Sequence, residues 1–486
     1  MTRSKARTRS AATGPGRAAV ITLMAALVGG TATGGGSLAA ASVFDLYGAG
    51  PRSAAMVGAL SAAAEGSEAA FHNPALLADA VVGGAWAGHS SAFFDLAFQM
   101  QREVCTDRAA VCRGIYKAGY SAREPREPAD IHSLQLGWHA PVGGIFRRRV
   151  VLGALLTLPY ARILHISGPD PQQPHYYMEE SLPGRMAVLV AVAARATDWL
   201  SFGVGVQVLA VLDAGVKLDA DVTNHAIDEA AVQIGLRPIG RMTAGVRIRP
   251  MPSLRFGVGY RQELGLSYSI PSSISTGKSA SLVLDVTQDT FYTPGTLVTG
   301  VGWQLLDGRL LVAAEIGLGL WSAAPDPSPR VAVDAGGPLI NEMGLADALD
   351  IGRQTPPVDL AFRDTWTPAV ALEWQASEAL RLRCGYSFRP SPAPHATGAF
   401  HIVDNDRHII GLGAGYGWGA VDLPADASAT AMASSSSAPA MYIQVAGQAQ
   451  VLPRRTEVKL DSNDPVGSFS HGGVVLHASV ALGGHF

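Results

Sequence analysis

Apolar residues recur at every second position through much of this chain, and the last segment shows the pattern best. One face of that segment carries Val474, Leu476, Ala478, Val480, Leu482 and Phe486. The other face carries His477, Ser479, Gly483 and His485. A two-residue period is that of a β-strand. Segments of about 10 residues that alternate apolar with small or polar side chains are typical of transmembrane β-barrels.

Fourteen segments carry this alternation, and an even number places both ends of a barrel on the periplasmic side. We predict strands, with ends accurate to a few residues, at 82–101, 131–141, 149–165, 185–196, 199–221, 233–250, 253–270, 279–305, 309–322, 366–377, 379–390, 404–416, 440–450 and 474–486. The predicted fold class is all-β, a 14-stranded antiparallel transmembrane β-barrel over residues 81–486.

The connections between these segments alternate between long outside loops and short periplasmic turns. Turns such as Leu306-Asp307-Gly308 contain residues that favour chain reversal. Residues 418–439 break the rule, because this connection should be short but is long and rich in Ala and Ser. We interpret it as a flexible periplasmic insertion. The alternative is a miscounted strand at this place.

Composition agrees with a membrane barrel. Apolar residues make up 48% of the chain and charged residues only 16%, against about 25% charged in ordinary soluble domains. After the leader, no stretch reaches the roughly 18 apolar residues that a membrane-spanning helix needs. A formal net charge of −3 gives no sign of a nucleic-acid partner.

The first 41 residues predict a secretory signal peptide. Basic residues precede a short apolar core at 18–28, and Ala39-Ala40-Ala41 fits cleavage before Ser42. The alternative is an uncleaved anchor. Cys105 and Cys112 lie in one predicted polar loop and could form a disulfide in an exported protein. Cys384 is expected to be a free thiol, and no Cys/His spacing indicates a metal or cofactor.

Residues 43–80 are rich in small side chains and too poor in β-branched residues to predict a strand. Gly48 and Gly50 permit tight turns. Asn73-Pro74 predicts the start of a helix, with Asn73 as the cap and Pro74 in the first position. The segment has no apolar face large enough to fold alone, so we expect it to pack inside another structure. The alternative is a glycine-rich linker.

A specific order of residues in this segment is Gly48, Ala49, Gly50, Glu65, Glu68, Phe71, Asn73, Pro74 and Ala75. This order resembles the N-terminal hatch of FadL/TodX-type outer-membrane transporters. Looser similarity continues through residues 195–205, 316–322, 383–386 and 404–408, so the resemblance covers most of residues 43–486. It implies that residues 42–80, here called the hatch, plug the lumen of a 14-stranded barrel that takes up hydrophobic molecules passively.

The same resemblance implies a route for the ligand. The ligand is captured by the outside loops, enters an apolar pocket above the hatch and leaves through a lateral opening in the barrel wall. Pro159 could mark such an opening in the third strand, since proline removes a ladder hydrogen bond. The C-terminal Phe486 resembles the signal by which the barrel assembly machinery recognises outer-membrane proteins.

The search for catalytic residues indicates that the protein is not an enzyme. The string GHSSA at residues 88–92 does not match the G-x-S-x-G motif. His89 and Ser90 are adjacent in sequence, so on a strand they point to opposite faces. A lipid-modifying enzyme is therefore the least favoured alternative.

Arginines recur on the predicted lumen face, at Arg247, Arg249, Arg255, Arg261, Arg381 and Arg383. One interpretation is that they pair with acidic residues, as in the polar interior of a porin. The other is that one or two, among Arg247, Arg255, Arg261 and Arg383, attract an anionic head group, because a charge in a narrow lumen is weakly screened. Glu65 and Glu68 of the hatch are their predicted resident partners.

These observations predict a channel in the bacterial outer membrane for passive uptake of hydrophobic compounds, most simply long-chain fatty acids. The expected partners are a fatty acid-like small molecule, outer-membrane lipid and the barrel assembly machinery. Two alternatives remain: a channel for hydrocarbons or aromatics, and a scaffold for protein secretion or surface assembly.

Overall fold

The structure is a computed structural model that describes residues 43–100, 128–146, 149–160, 174–181, 186–221, 226–276, 280–326, 330–342, 360–397, 401–422, 437–459 and 467–486. The predicted signal peptide at 1–41, and Cys105 and Cys112, lie outside the described residues. Within these ranges Cys384 is a free thiol, and no helix is long and apolar enough to cross a membrane.

Fourteen strands form the wall of a barrel. They are β1 (Gly84–Met100), β2 (Ile131–Pro141), β3 (Val150–Pro159), β4 (Ala187–Arg195), β5 (Leu200–Asp221), β6 (Ala226–Met251), β7 (Leu254–Arg261 and Leu264–Thr276), β8 (Ala280–Thr293 and Gly295–Leu305), β9 (Leu310–Leu320), β10 (Thr365–Gln375), β11 (Leu380–Arg389), β12 (Arg407–Trp418), β13 (Met441–Glu457) and β14 (Phe469–His485).

Each strand pairs antiparallel with the next strand in sequence. The last strand pairs with the first, from Phe469 opposite Met100 to His485 opposite Gly84. This pairing closes the ring of fourteen strands, and closure is what a sheet needs in order to cross a membrane. The predicted 14-stranded antiparallel barrel is confirmed.

The two faces of the strands separate as the alternation predicts. On β14, Leu476, Val480 and Leu482 are 54%, 41% and 51% exposed and face outward, whereas His477 and Ser479 are buried in the lumen. An apolar exterior and a polar interior follow from the two-residue period, because successive side chains of a strand point to opposite faces.

Two predicted strands are interrupted. The sequence predicts one continuous strand at 253–270 and another at 279–305. In the structure β7 is interrupted at residues 262–263 and β8 is interrupted at Pro294. A proline has no N–H for the ladder, which accounts for the second break. An additional strand, Arg330–Gly336, lies in the predicted outside loop 323–365 and pairs with the first segment of β8.

The connection from β12 to β13 is the long one that departs from the predicted alternation of long outside loops and short periplasmic turns. Val421–Asp422 pairs with Ser437–Ala438, so the two ends of this connection form a short hairpin. Residues 423–436 lie outside the described residues. On the outside, His175–Tyr176 pairs in parallel with Ile402–Val403.

The helices are short. In the N-terminal segment they are α1 (Val43–Tyr47), α2 (Pro51–Ala55) and α3 (Ala69–His72), with 3-10 turns at Gly66–Glu68 and Pro74–Asp79. Elsewhere α4 (Tyr177–Ser181) and α5 (Pro338–Glu342) lie in outside loops, and further 3-10 turns lie at Gly144–Phe146 and Trp321–Ala323.

Candidate ligand site in the barrel lumen

Residues 43–80 lie against the inner wall, and glycines of the wall permit the approach. A Cβ atom added to Gly257 would lie 1.9 Å from the carbonyl oxygen of Ser61, and one added to Gly245 would lie 1.9 Å from Asn73 Oδ1. Only a residue without a side chain fits such a gap. The alternating glycines of the lumen face are therefore the contact surface for this segment.

The Asn73-Pro74 pair starts a helical turn as the sequence predicts. Asn73 Oδ1 accepts a hydrogen bond from the amide of Ala75 at 3.1 Å. Its Nδ2 donates to the carbonyls of Ser61 at 2.7 Å and Val246 at 3.0 Å. The same side chain thus caps the turn, braces the segment internally and attaches it to β6.

Gly48 and Gly50 have φ angles of 91° and 90°, a region that side chains disfavour. Gly50 donates its amide to Gln135 Oε1 on β2 at 3.0 Å. These two glycines reverse the chain between α1 and α2, so that α1 turns toward the upper lumen.

A buried charge network joins the segment to β10 and β11. Arg52 donates to Glu68 within the segment, and its Nε donates to Glu373 Oε2 at 2.8 Å. Arg383 Nε donates to the same carboxylate oxygen of Glu373 at 2.6 Å. All four side chains are less than 10% exposed. At the rim, Arg381 lies 3.6 Å from Glu65, and both are largely exposed.

A second network holds the other end of the segment. Asp79 lies 3.1 Å from Arg247 and 3.3 Å from Arg255, and both guanidinium groups are buried. The predicted resident partners were Glu65 and Glu68. Glu65 does pair with Arg381, but the partners of Arg247, Arg255 and Arg383 are Asp79 and Glu373. Three of the four arginines proposed for ligand binding therefore carry ion pairs in this structure.

The fourth, Arg261, has a different environment. Its guanidinium lies over the ring of Phe71, 4.4 Å from the ring centroid, and donates to the Phe71 carbonyl at 3.4 Å. Such a cation–ring contact is favourable, especially when water is excluded. Among the described residues, no carboxylate lies within ion-pair distance of Arg261.

Arg261 lines a lumenal cavity of about 170 Å³ above the segment. Apolar walls come from both the segment and the barrel, namely Phe44, Leu46, Tyr47, Phe71, Met178, Val298, Trp321 and Ile409. Polar groups at the same cavity are Asp45, His72, Glu315, Arg389, Asp404 and Gln448. An apolar chamber with a few fixed polar groups is typical of a small-molecule site.

The carboxylates of the cavity already have partners. Asp45 accepts from Arg241 at 2.8 Å, Asp404 accepts from Arg407 at 2.5 Å, and Glu315 accepts from the amide of Ser61 at 2.7 Å. Burial, with Arg261 and Arg52 nearby, lowers the pKa of His72 to about 3, so this ring is neutral at pH 7.

Arg389 is the second cation of the cavity. Its Nη2 donates to the Asp45 carbonyl at 3.5 Å, the one hydrogen bond it makes to the described residues. Sequence reasoning missed Arg389 although it shares the lumen-facing parity of Arg381 and Arg383. It also missed Arg241, six residues before Arg247 on the same face. Extending the same two-residue count to the strand ends would have found both.

Pro159 is the last residue of β3, at a point where β3 is paired with β2 but not with β4 in the described residues. The β2–β3 pairing runs up to Ser133 opposite Pro159. Among the described residues, the last β3–β4 pair is Thr157 opposite Ala187. The proposed lateral opening at Pro159 falls at this boundary.

Comparison with known proteins supports the same fold. The family described as outer membrane protein transport protein (OMPP1/FadL/TodX) matches residues 346–459, which include β10 to β13. A Pseudomonas aeruginosa FadL homologue has a similar crystal structure, with a TM-score of 0.56 and 14% identity over 93% of this chain and 100% of that one.

A mutant structure of TodX, described as a monoaromatic hydrocarbon channel with S2 and S3 deleted, has a TM-score of 0.50 and 17% identity. That match covers 91% of this chain and 100% of the TodX chain. No curated protein is detectably similar in sequence.

Proposed function

We propose that this chain is a member of the FadL/TodX family of outer-membrane transport proteins, and that it takes up a hydrophobic compound with an acidic end, most simply a long-chain fatty acid. The single observation that carries the acidic end is the pair Arg261 and Arg389 in an otherwise largely apolar cavity. Both side chains project into the cavity, and neither lies within ion-pair distance of a carboxylate of the described residues.

A carboxylate ligand would supply the missing counter-charge. Hydrogen bonds to charged groups contribute about 1.5–3 kcal/mol each, and attraction is stronger where little water screens it. The alkyl chain of the ligand would lie against Phe44, Phe71 and Trp321. The cavity volume of about 170 Å³ is below the range of most ligand pockets, so a long chain also needs space that the hatch now fills.

Movement of α1 away from the cavity would provide that space. Phe44 to Tyr47 form one wall of the cavity. The contacts that hold α1 against the barrel include the following three. Arg241 pairs with Asp45 at 2.8 Å, Tyr47 stacks on His477 with centroids 4.8 Å apart, and Gln450 donates to the Leu46 carbonyl at 3.1 Å. We propose that α1 moves, while α2 and α3 stay fixed by the buried ion pairs. The ligand then leaves laterally near Pro159.

The second candidate is a neutral monoaromatic hydrocarbon. It is favoured by the aromatic part of the cavity, in which Phe44 and Phe71 lie 5.7 Å apart at 52°. The two candidates differ in whether the cavity arginines matter, because a hydrocarbon gives them no partner.

The test is uptake and binding by the wild type and by an Arg261→Gln, Arg389→Gln variant. We expect binding of oleate to weaken by roughly 10- to 100-fold, while binding of toluene changes little. An Arg381→Gln variant is the control, since Arg381 is a lumen-side arginine at the exposed rim. Equal oleate binding by all three proteins would exclude the acid-specific function. Mass spectrometry of lipids that co-purify with the wild type identifies the native ligand.

A further inference from the structure

A cluster of three rings and a serine lies on the outer face of the wall. His89 and Ser91 are on β1, His132 is on β2, and Tyr160 directly follows β3. The His89–His132, His132–Tyr160 and His89–Tyr160 ring centroids lie 6.1, 6.1 and 5.8 Å apart. We name these four residues the outer-wall cluster.

The cluster stands where the apolar stripe of the wall ends. On β2, Leu136 and Leu134 are 37% and 40% exposed and face outward, and His132 is the next outward residue. Leu156 and Leu158 precede Tyr160 in the same way on β3. Polar groups on the lipid side of a barrel are unfavourable within the apolar band and tolerated at its edge. On β2 and β3 the cluster therefore lies at the outer end of the apolar stripe, and on β1 one more outward apolar residue, Phe93, follows Ser91.

Hydrogen bonds within the cluster occupy one nitrogen of each imidazole and leave the other nitrogens and the phenol hydroxyl without a partner inside the cluster. Ser91 Oγ lies 2.8 Å from His89 Nε2 and 2.9 Å from His132 Nδ1, so one hydroxyl holds both rings. In the part of the chain that the structure describes, His89 Nδ1, His132 Nε2 and the Tyr160 hydroxyl make no hydrogen bond. Three polar atoms at the edge of the apolar band thus remain open to a partner from the membrane.

Burial decides what chemistry the cluster can perform. Ser91 is only 7% exposed beneath the two imidazoles, whereas Tyr160 is 54% exposed. A nucleophilic serine must reach its substrate, and this one is covered. The arrangement therefore suits binding at the ring edges and not hydrolysis at the serine.

The position of the cluster relates it to the exit. The amide of Tyr160 donates to the His132 carbonyl at 3.2 Å, so the outer-wall cluster is attached to the end of β3. Pro159, the preceding residue, lies beyond the last β3–β4 pair, Thr157 with Ala187. Tyr160 directly follows Pro159 at this boundary, and its ring lies 6.1 Å from the ring of His132 on β2.

We propose that the outer-wall cluster binds the carboxylate of the amphiphile as it leaves the barrel, and so holds its acidic head at the membrane surface while the alkyl chain enters the lipid. This inference rests on the proposed uptake of an acidic compound. A carboxylate has two oxygens, each able to accept more than one hydrogen bond. The Ser91 hydroxyl donates to one ring nitrogen and accepts from the N–H of the other ring, so one imidazole N–H and the Tyr160 O–H are the donors for the carboxylate. The phosphate group of a membrane lipid accepts hydrogen bonds in the same way, so lipid phosphate is the alternative ligand for this cluster.

The chain contains a matched control on another part of the wall. Tyr386 on β11 and His408 on β12 form an outward-facing pair, with the Tyr386 hydroxyl 2.9 Å from His408 Nδ1 and ring centroids 6.3 Å apart. This pair has the same residue types and the same outward face, but it does not adjoin β3. Replacing His408 therefore measures how much a Tyr–His pair elsewhere on the outer wall contributes to uptake.

The experiment compares the wild type, a His89→Leu, His132→Leu variant and a His408→Leu variant in proteoliposomes. Heat-dependent gel migration checks that each barrel is assembled. We measure initial uptake of oleate and of methyl oleate, and crosslinking by a photoactivatable fatty acid and a photoactivatable phospholipid. We expect oleate uptake by the double variant to fall about tenfold, methyl oleate uptake to stay unchanged, and fatty-acid crosslinks to residues 128–146 to disappear. The His408→Leu variant should match the wild type.

Three results would overturn the proposal: oleate uptake unchanged in the double variant, an equal loss in His408→Leu, or crosslinking at this site by the phospholipid alone. Failure of the wild type to take up oleate while it takes up toluene is a separate outcome. That result rejects the acidic ligand of the proposed function, and the inference about the outer-wall cluster falls with it.

Discussion

Replacing Arg52 should release the hatch, because this one side chain connects two buried carboxylates from distant parts of the chain. Arg52 pairs with Glu68 in the hatch and with Glu373 on β10, and it is 4% exposed. An Arg52→Met variant keeps much of the apolar volume but removes the charge. Glu373 retains Arg383 at 2.6 Å, whereas Glu68 is left buried without its cation.

The magnitude follows from burial. Removing one partner of a buried ion pair costs about 3–5 kcal/mol, which corresponds to roughly a 150- to 5,000-fold shift toward the displaced hatch. Arg381 supplies the comparison, since it also joins hatch and wall but is 38% exposed, with Glu65 45% exposed at 3.6 Å. An exposed pair contributes only about 0–1 kcal/mol, so Arg381→Met should shift the hatch by less than about tenfold.

Single-channel conductance in planar bilayers measures the displaced hatch directly. We expect frequent open events for Arg52→Met and near wild-type closure for Arg381→Met. Adding Glu68→Gln to Arg52→Met should restore part of the closure, because the stranded charge is removed. If Arg52→Met and Arg381→Met conduct equally, buried charge does not hold the hatch and this reasoning is refuted.

Three further predictions concern other parts of the molecule. Gly257→Val should prevent the hatch from packing against the wall, since a Cβ atom there would lie 1.9 Å from the Ser61 carbonyl oxygen, and the conductance should rise. Gly447→Val is the control and should leave the conductance unchanged, because a Cβ atom there has no neighbour within 4 Å. Pro159→Ala should lower uptake with barrel assembly unchanged, and unaltered uptake would remove Pro159 from the exit route. Burial, with Lys459 and His175 nearby, lowers the pKa of His401 to about 3, so the folded state disfavours the protonated ring. Stability from this group is present above pH 6.5 and lost as pH falls toward 3, by about 2 kcal/mol at pH 5. The opening free energy of residues 401–405, obtained from hydrogen exchange corrected for the intrinsic exchange rate, should therefore be lower at pH 5 than at pH 7 in the wild type but not in His401→Asn.

Much of the site was predictable because it depends on local rules. The capping role of Asn73 and the turn at Gly48 and Gly50 need only a few neighbouring residues. The lumen-facing parity of Arg261 also follows from strand alternation. The outer-wall cluster was within reach too: His89 and Ser90 do point to opposite faces, but the same rule places Ser91 beside His89.

The partners of the buried charges were not predictable. Arg52 and Glu373 are 321 positions apart in sequence, and Arg241 and Asp45 are 196 apart. Which charges meet depends on how the closed barrel staggers its strands around the hatch. The expected partners Glu65 and Glu68 were chosen for their place in the hatch, and Asp79 and Glu373 took most of that role.

The sequence by itself determined the fourteen wall strands and their two faces, because a two-residue period is a property of the extended backbone alone. Only the tertiary structure decided that Asp79 and Glu373 pair with wall arginines, and that no carboxylate of the described residues lies within ion-pair distance of Arg261 or Arg389. The physical reason is that ion pairing falls off with distance in space, and distance across the lumen is set by the closure of all fourteen strands.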